Sequence, residues 1–391
     1  MFRKLLMCVV ILISVLNAAA EISEKETYFT DVYKQWKNGP PADPSFFPLA
    51  VWCQDVADAE AYKVGGINTY VGLWKGPGPG ELEALKAAGM YVVCDQNKLA
   101  LSKKDDRTII AWMHGDEPDN AQSLPGGKGY GPCIRPSVIV SGYQSIKSRD
   151  SSRPIMGNFG QGLVLENYKG RGAGASINDY REYFKGADIV SFDVYPVVNY
   201  GADFLWYQAK GLDRITEFSG SSKIKWNCME STAINGMKKP SPLQIKAEIW
   251  ISILSGSKGI IYFCHRFGKN PDTRALLHDK EIFPAVTRIN QQITELAPII
   301  NSPDSKGLSV SSLKGGINFK AALKQYKGDR YVFAVPMKNG DTAAKFEISG
   351  ITKETKAEVL GESRTVEVSK KGVFKDEFKA WQVHLYKIPK E

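Results

Sequence analysis

The chain has 391 residues, 51 of them Lys or Arg and 42 Asp or Glu, for a formal net charge of +9. The basic residues are spread among nearly as many acids, and without a clustered basic face or a recognised module this excess does not point to nucleic acid. Only four histidines exist, His114, His265, His278 and His384; none belongs to a ligand cluster of the kind a metal-dependent hydrolase requires, so neither metal nor cofactor is expected.

The chain opens MFRKLLMCVVILISVLNAAAE. Arg3 and Lys4 precede an apolar run from Leu5 to Leu16 and then small residues, the three-part pattern of a secretory signal peptide. A leader over residues 1–20, cleaved near Ala20, is expected, with the mature protein secreted or periplasmic. The run is shorter than the roughly 20 apolar residues a membrane span needs, and no later segment qualifies. Lipid anchoring at Cys8 is disfavoured, because Met7 fits poorly before a lipidated cysteine and the apolar run continues beyond it. About 370 residues remain, room for one large domain and a smaller one. They carry Cys53, Cys94, Cys133, Cys228 and Cys264, an odd number, so at least one thiol cannot pair within the chain. Most lie near the ends of apolar runs, where a buried cysteine serves as a small apolar side chain.

From about residue 46, eight short apolar runs follow one another: FFPLAVWC, INTYVGLW, MYVVCDQN, TIIAWMHGDE, PIMGNFG, IVSFDVYP, KIKWNCME and GIIYFCHRF. Each is rich in β-branched or aromatic residues and too short for an ordinary helix. Helix-like stretches that start at Ser, Asp or Pro and stop at Gly separate most of them. Continuous apolar strands alternating with helices predict an eightfold (β/α)8 TIM barrel over residues 40–302, with a doubly wound open sheet as the other fold considered. The connection KLALSKKDDR is short and charged, so its helix is a stub or missing. The loops SLPGGKGYGPCIR and GQGLVLENYKGRGAGA are long and glycine-rich, and both follow strands, where barrels place substrate-binding surface. After residue 302 the period becomes two, in GLSVSSLK, NFKAALKQY, RYVFAVPMK, TAAKFEIS, KAEVLG, RTVEVSKKG and WQVHLYKIP. This predicts a C-terminal antiparallel β-sandwich over residues 303–391. Trp381 there fits either the sandwich core or a sugar face.

The fourth run ends in Gly115-Asp116-Glu117-Pro118 and the seventh in Met229-Glu230. In a parallel barrel both ends face one mouth, so Glu117 and Glu230 are expected to converge. Two carboxylates roughly 5 to 5.5 Å apart suit a retaining glycosidase. The arrangement resembles the clan of retaining glycoside hydrolases on the β/α barrel whose acid/base and nucleophile end strands four and seven. The resemblance covers about residues 46 to 300 and implies Glu117 as acid/base and Glu230 as nucleophile. It also implies Tyr195, in SFDVYP, as a donor to the nucleophile. The clan usually has Asn before the acid/base, donating to the sugar 2-hydroxyl; here Asp116 stands there, which when ionised only accepts. A Trp often ends strand eight in the clan, where this chain offers Phe263 or His265.

Further mouth candidates are Trp52 and Gln54, Trp74, Asp95, Gln96 and Asn97, and Asn158, with core packing and loop capping as their ordinary alternatives. His114 reads as a packed histidine, and His265 beside Arg266 as a substrate contact. The expected function is a secreted, cofactor-free retaining glycoside hydrolase that cleaves a β-linked oligo- or polysaccharide with two glutamates. The competing reading is a secreted carbohydrate-binding protein that keeps the barrel without turnover.

Overall fold

The structure, a computed structural model, describes residues 28–165, 174–236 and 238–390. The expected leader with its cleavage point and Cys8 lies outside the described residues, as does the middle of the loop after the fifth strand. Among the described residues no helix is long and apolar enough to cross a membrane.

The parallel strands are β1 Leu49–Trp52, β2 Thr69–Val71, β3 Tyr91–Cys94, β4 Ile109–Asp116, β5 Ile155–Phe159, β6 Ile189–Phe192, β7 Ile224–Lys225, β8 Asn227–Glu230 and β9 Ile260–Phe263. They run in the order β7-β6-β5-β4-β3-β2-β1-β9-β8. The two ends of that order are halves of one strand, because only Trp226 separates β7, paired with β6, from β8, paired with β9. Trp226 donates its N–H to the Val190 carbonyl at 3.0 Å, and Asn227 donates to Gly259 at 3.0 Å. The barrel therefore closes as eight strands, each at a position predicted from the sequence. Gly259 is required at this seam, since a Cβ there would lie 2.7 Å from the Trp226 ring.

Side chains alternate between the barrel interior and the helix layer, as strand geometry demands. Ala50 and Trp52 of β1 join the inner cluster, while Leu49 and Val51 face the outer one. The inner cluster is completed by Tyr33 and flanked by Trp36, from a segment before β1. Tyr33 accepts the Trp226 indole N–H at 3.2 Å.

The outer layer comprises α1 Ala59–Val64, α2 Pro79–Ala87, α3 Lys98–Ser102, α4 Pro136–Arg149, α5 Tyr180–Tyr183, α6 Pro196–Asn199, α7 Tyr207–Ser219, α8 Pro242–Leu254, α9 Ala275–His278 and α10 Ile282–Ile300. The charged connection after β3 does hold a helix, the five-residue α3, capped by Asn97, which accepts the Ala100 N–H at 2.8 Å. Helix α8 starts at a Ser241/Gln244 capping box with Pro242 in its first turn. Its sequence is apolar almost all round because it is covered on two sides; beyond the barrel, Trp250 meets Phe333 at 5.0 Å between ring centroids.

The C-terminal strands are β10 Leu308–Ser312, β11 Phe319–Tyr326, β12 Asp329–Pro336, β13 Thr342–Ile348, β14 Thr355–Val359, β15 Arg364–Val368, β16 Val373–Phe378 and β17 His384–Ile388. They form two antiparallel sheets, β10-β13-β16 and β11-β12-β17-β14-β15, which share a core that includes Phe346, Phe374 and Tyr386. The sequence reading lacks β16, whose apolar residues in VFKDEF are interrupted by three charges. Trp381 is buried in the core that joins this unit to the barrel, which removes it as a sugar platform. All five cysteines among the described residues are free, and Cys94, Cys228 and Cys264 are buried.

Candidate active site

A cavity of about 790 Å³ opens at the carboxyl ends of the barrel strands, within the size range of ligand sites. Its carboxylates are Asp95, Asp116, Glu117 and Asp193, and its aromatic wall includes Trp52, Trp74, Tyr195, Phe263, His265 and Phe267.

Glu117 reaches the cavity because β4 ends abruptly. Its φ is +41°, the left-handed region, which is uncommon for a side-chain-bearing residue and costs on the order of 1–3 kcal/mol where the surroundings enforce it. The enforcing contacts are visible. Its N–H donates to the Asn158 carbonyl at 3.0 Å, its carbonyl accepts from Asn120 N at 3.1 Å, and Gln122 Nε2 reaches the same carbonyl at 3.1 Å. Asn120 Nδ2 also donates to Glu117 Oε2 at 3.0 Å. Gly160 lies against this carboxylate, since a Cβ there would be 3.1 Å from Oε1. The acidic end of an apolar strand is thus a turn that presents a side chain, stabilised by the loop that follows it and by β5.

Asp116 accepts from Asn158 Nδ2 at 2.9 Å, and Asn158 Oδ1 in turn accepts from Ser191 at 2.7 Å. Asn158 is fully buried and does not line the cavity, a correction to its expected sugar contact; it holds Asp116 from below. Asp119 is buried too, accepts Tyr180 Oη at 2.6 Å, and is pushed up to about 7 chiefly by burial.

Glu230 also departs from expectation. It is fully buried and absent from the cavity lining. Its Oε1 accepts Val197 N at 2.6 Å and its Oε2 accepts Val198 N at 2.8 Å, so both carboxylate oxygens serve the first turn of α6. A carboxylate is stabilised there by free N–H groups and the positive end of the helix. Glu230, expected as the nucleophile, thus lies outside the cavity lining that holds Glu117, with both of its carboxylate oxygens engaged by α6. Tyr195 lines the cavity, but its hydroxyl is buried without a hydrogen-bond partner, so it does not serve Glu230 as a donor either.

Beside Glu230 lies Glu248 of α8, fully buried and accepting from Gln208 Nε2 at 2.8 Å. Burial pushes Glu230 up to about 7, against the pull of the two backbone donors, and pushes Glu248 well above the carboxylate range, with the charge of Glu230 adding to the rise. Glu248 thus holds a proton between the pair. The folded protein binds this proton more tightly than the unfolded chain, where Glu titrates near 4.5. The pair's stabilising share is therefore complete below about pH 4.5 and is lost as the pH rises through the raised folded values, about 7 for Glu230. Thermal unfolding scans of Glu248→Gln should show a weaker fall in stability between these limits than wild type, and an unchanged slope would refute the shared proton.

The residue that sequence reasoning passed over is Asp193. It follows β6 directly, its N–H donates to the Phe159 carbonyl at 2.7 Å, and its Oδ1 is buried without a hydrogen-bond partner. Burial, then the charges of Glu117 and Asp116, push its carboxyl well above the usual range. The signal was the one used for Glu117, a carboxylate ending an apolar run, in the same SFDVYP that supplied Tyr195.

On the aromatic side Trp74 is 62% exposed and Phe267 48% exposed, and the His265 ring meets Trp74 edge-on at 5.4 Å and stacks on Phe267 at 6.0 Å. His265 Nε2 lies 3.1 Å from the Trp52 carbonyl and 3.2 Å from Gln54 Nε2, and Nδ1 has no hydrogen-bond partner. Burial lowers its pKa, so the ring stays neutral. Trp52 contributes to the cavity while most of its ring packs inside the barrel. Arg266 faces elsewhere, donating to the Asn270 carbonyl at 2.8 Å and lying 3.7 Å from Asp272. Gln54 accepts Tyr62 Oη at 2.5 Å, and Gln96 donates to the Ile146 carbonyl at 3.1 Å. His114 lines the cavity yet is engaged by the Ile139 carbonyl at 3.0 Å and the Gly115 N–H at 2.8 Å, a packed histidine as expected. Asn120, Gln161 and Phe267 are cavity residues that the strand-end logic did not reach, because loops supply them.

No family model matches this chain, and no curated protein matches it. Among solved structures it is similar to an alpha-amylase from Geobacillus thermoleovorans complexed with acarbose, at 13% identity and a TM-score of 0.51 over 91% of this chain and 99% of the other. An Anoxybacillus alpha-amylase gives 12% identity and a TM-score of 0.53 over 89% and 99%. A catalytic mutant of a GH42 beta-galactosidase from G. stearothermophilus gives 9% identity and a TM-score of 0.56 over 93% and 99%. At these identities the likeness is one of fold: a TIM barrel carrying a C-terminal β-sandwich.

Proposed function

We propose that this protein is an exported glycoside hydrolase that cleaves a β-linked glycan with retention, using Glu117 as one of two working carboxylates. The observation that carries the reading is the Glu117 backbone, held in a costly conformation by Asn120, Gln122 and Asn158, at the end of a barrel strand and inside a cavity with an exposed aromatic rim. Strain kept at a strand end by several converging hydrogen bonds is what a positioned reacting group requires. Trp74 and Phe267 offer the flat apolar faces on which sugar rings stack. That the barrel supports glycosidase chemistry in the amylases and the beta-galactosidase it resembles agrees with this reading.

The test is incubation of the mature chain with a panel of β-linked oligo- and polysaccharides beside Glu117→Gln, with NMR of the first-formed anomer. Products from wild type alone, with the anomeric configuration kept, support the proposal. Inversion removes retention. Binding of one glycan with no product from any supports the carbohydrate-binding alternative. Trp74→Ala should raise KM about tenfold, the equivalent of ~1.4 kcal/mol of lost ring contact, with kcat little changed; an unchanged KM would place the sugar elsewhere.

A further inference from the structure

We propose that Asp193 is the proton donor of this site and Glu117 its nucleophile, the reverse of the role that the strand-four position implies for Glu117. The inference rests on the glycosidase reading.

The two side chains differ in what surrounds them. Glu117 Oε2 receives the Asn120 amide at 3.0 Å, which holds the carboxylate in place within the cavity. Asp193 Oδ1 receives none and is buried, and the hydrogen bonds that Cys228 and Asn158 make to the same carboxyl do not outweigh its burial. An ionised oxygen there is costly, whereas a neutral carboxyl can turn its O–H toward a substrate oxygen entering the cavity. The charges of Asp116 and Glu117 act in the same direction, holding the proton on Asp193. Tyr195, two residues on, lines the same cavity with a second unpartnered buried oxygen. Two polar atoms left unsatisfied on one short segment are the expected mark of a place where a ligand completes the hydrogen bonding. The segment is fixed at its far end by Glu230, through Val197 and Val198; Glu230 is thus a positioning residue for Asp193.

In the first step the Glu117 carboxylate forms a bond to the anomeric carbon while the bond to the leaving oxygen breaks, and that oxygen takes the Asp193 proton. In the second, water attacks the anomeric carbon, its proton passes to the Asp193 carboxylate, and the ester bond to Glu117 breaks. Atoms and charge balance without a cofactor.

The test compares wild type, Asp193→Asn and Asp193→Glu on natural glycans and on aryl glycosides with good leaving groups, with melting temperatures checked first. Asp193→Asn should lose at least about 10²-fold in kcat/KM on glycans and far less on the activated aryl glycosides, because only poor leaving groups need the proton. It should also lose the basic limb of the pH profile, and Asp193→Glu should restore part of the activity. Equal loss on both substrate classes, or full activity with the basic limb retained, overturns the assignment while wild-type turnover leaves the hydrolase reading standing. An inert wild type sinks both.

Discussion

Glu117→Gln is expected to lower turnover by roughly 10⁴-fold or more, since the amide fills the same volume but cannot attack the anomeric carbon. Its folding should be nearly untouched: the glutamine oxygen can still accept the Asn120 amide, and the backbone contacts to Asn158 and Gln122 do not involve the side chain. The informative companion is Glu117→Ala with azide. The small anion enters the vacated space and forms the bond to the anomeric carbon from the same face as the lost carboxylate, while Asp193 protonates the departing oxygen. The product is a glycosyl azide of inverted configuration. Chromatography and NMR of that product check the assignment. An azide of retained configuration would instead make Glu117 the acid/base group, and a fully active Glu117→Gln would remove it from the chemistry.

Glu230→Ala should behave in the opposite way, as a folding defect. Removing its carboxylate leaves the N–H groups of Val197 and Val198 buried without acceptors, at about 1–3 kcal/mol each. A total loss of about 3–5 kcal/mol is expected, readable as a fall in melting temperature on the order of 10 °C. Glu230→Gln, which keeps one acceptor oxygen, should lose about half as much. Azide should restore nothing, because the space it would fill adjoins α6 and not the cavity. A melting temperature equal to wild type, joined to abolished turnover and azide rescue, would return Glu230 to the role the resemblance implies.

The barrel was legible because its strands are buried on both faces, so each appears as an unbroken apolar run between turn residues. Trp226 did not interrupt the pattern, since a tryptophan reads as strand whether or not it pairs. The site was legible only in part. Strand ends can be counted, and this placed Glu117 and Asp116 at the mouth. Counting does not say which way the last side chain points, and at Glu230 the four-residue α6, with Pro196 at its start, supplies N–H groups that draw the carboxylate away. No periodicity predicts so short a helix. Asp193 was hidden for another reason. It lies one residue beyond the apolar run IVSF, where an aspartate is also an ordinary loop residue, and only its buried, unpartnered Oδ1 separates the two.

The contact between Tyr33 and Trp226 joins residues 193 positions apart, and β1 reaches its second neighbour only at Ile260. During synthesis neither the floor of the barrel nor its closing seam can form until more than half of the chain has emerged. Contacts of such long range make a protein slow to reach its native state. The order of its pairings keeps the barrel open until β8 and β9 have been made.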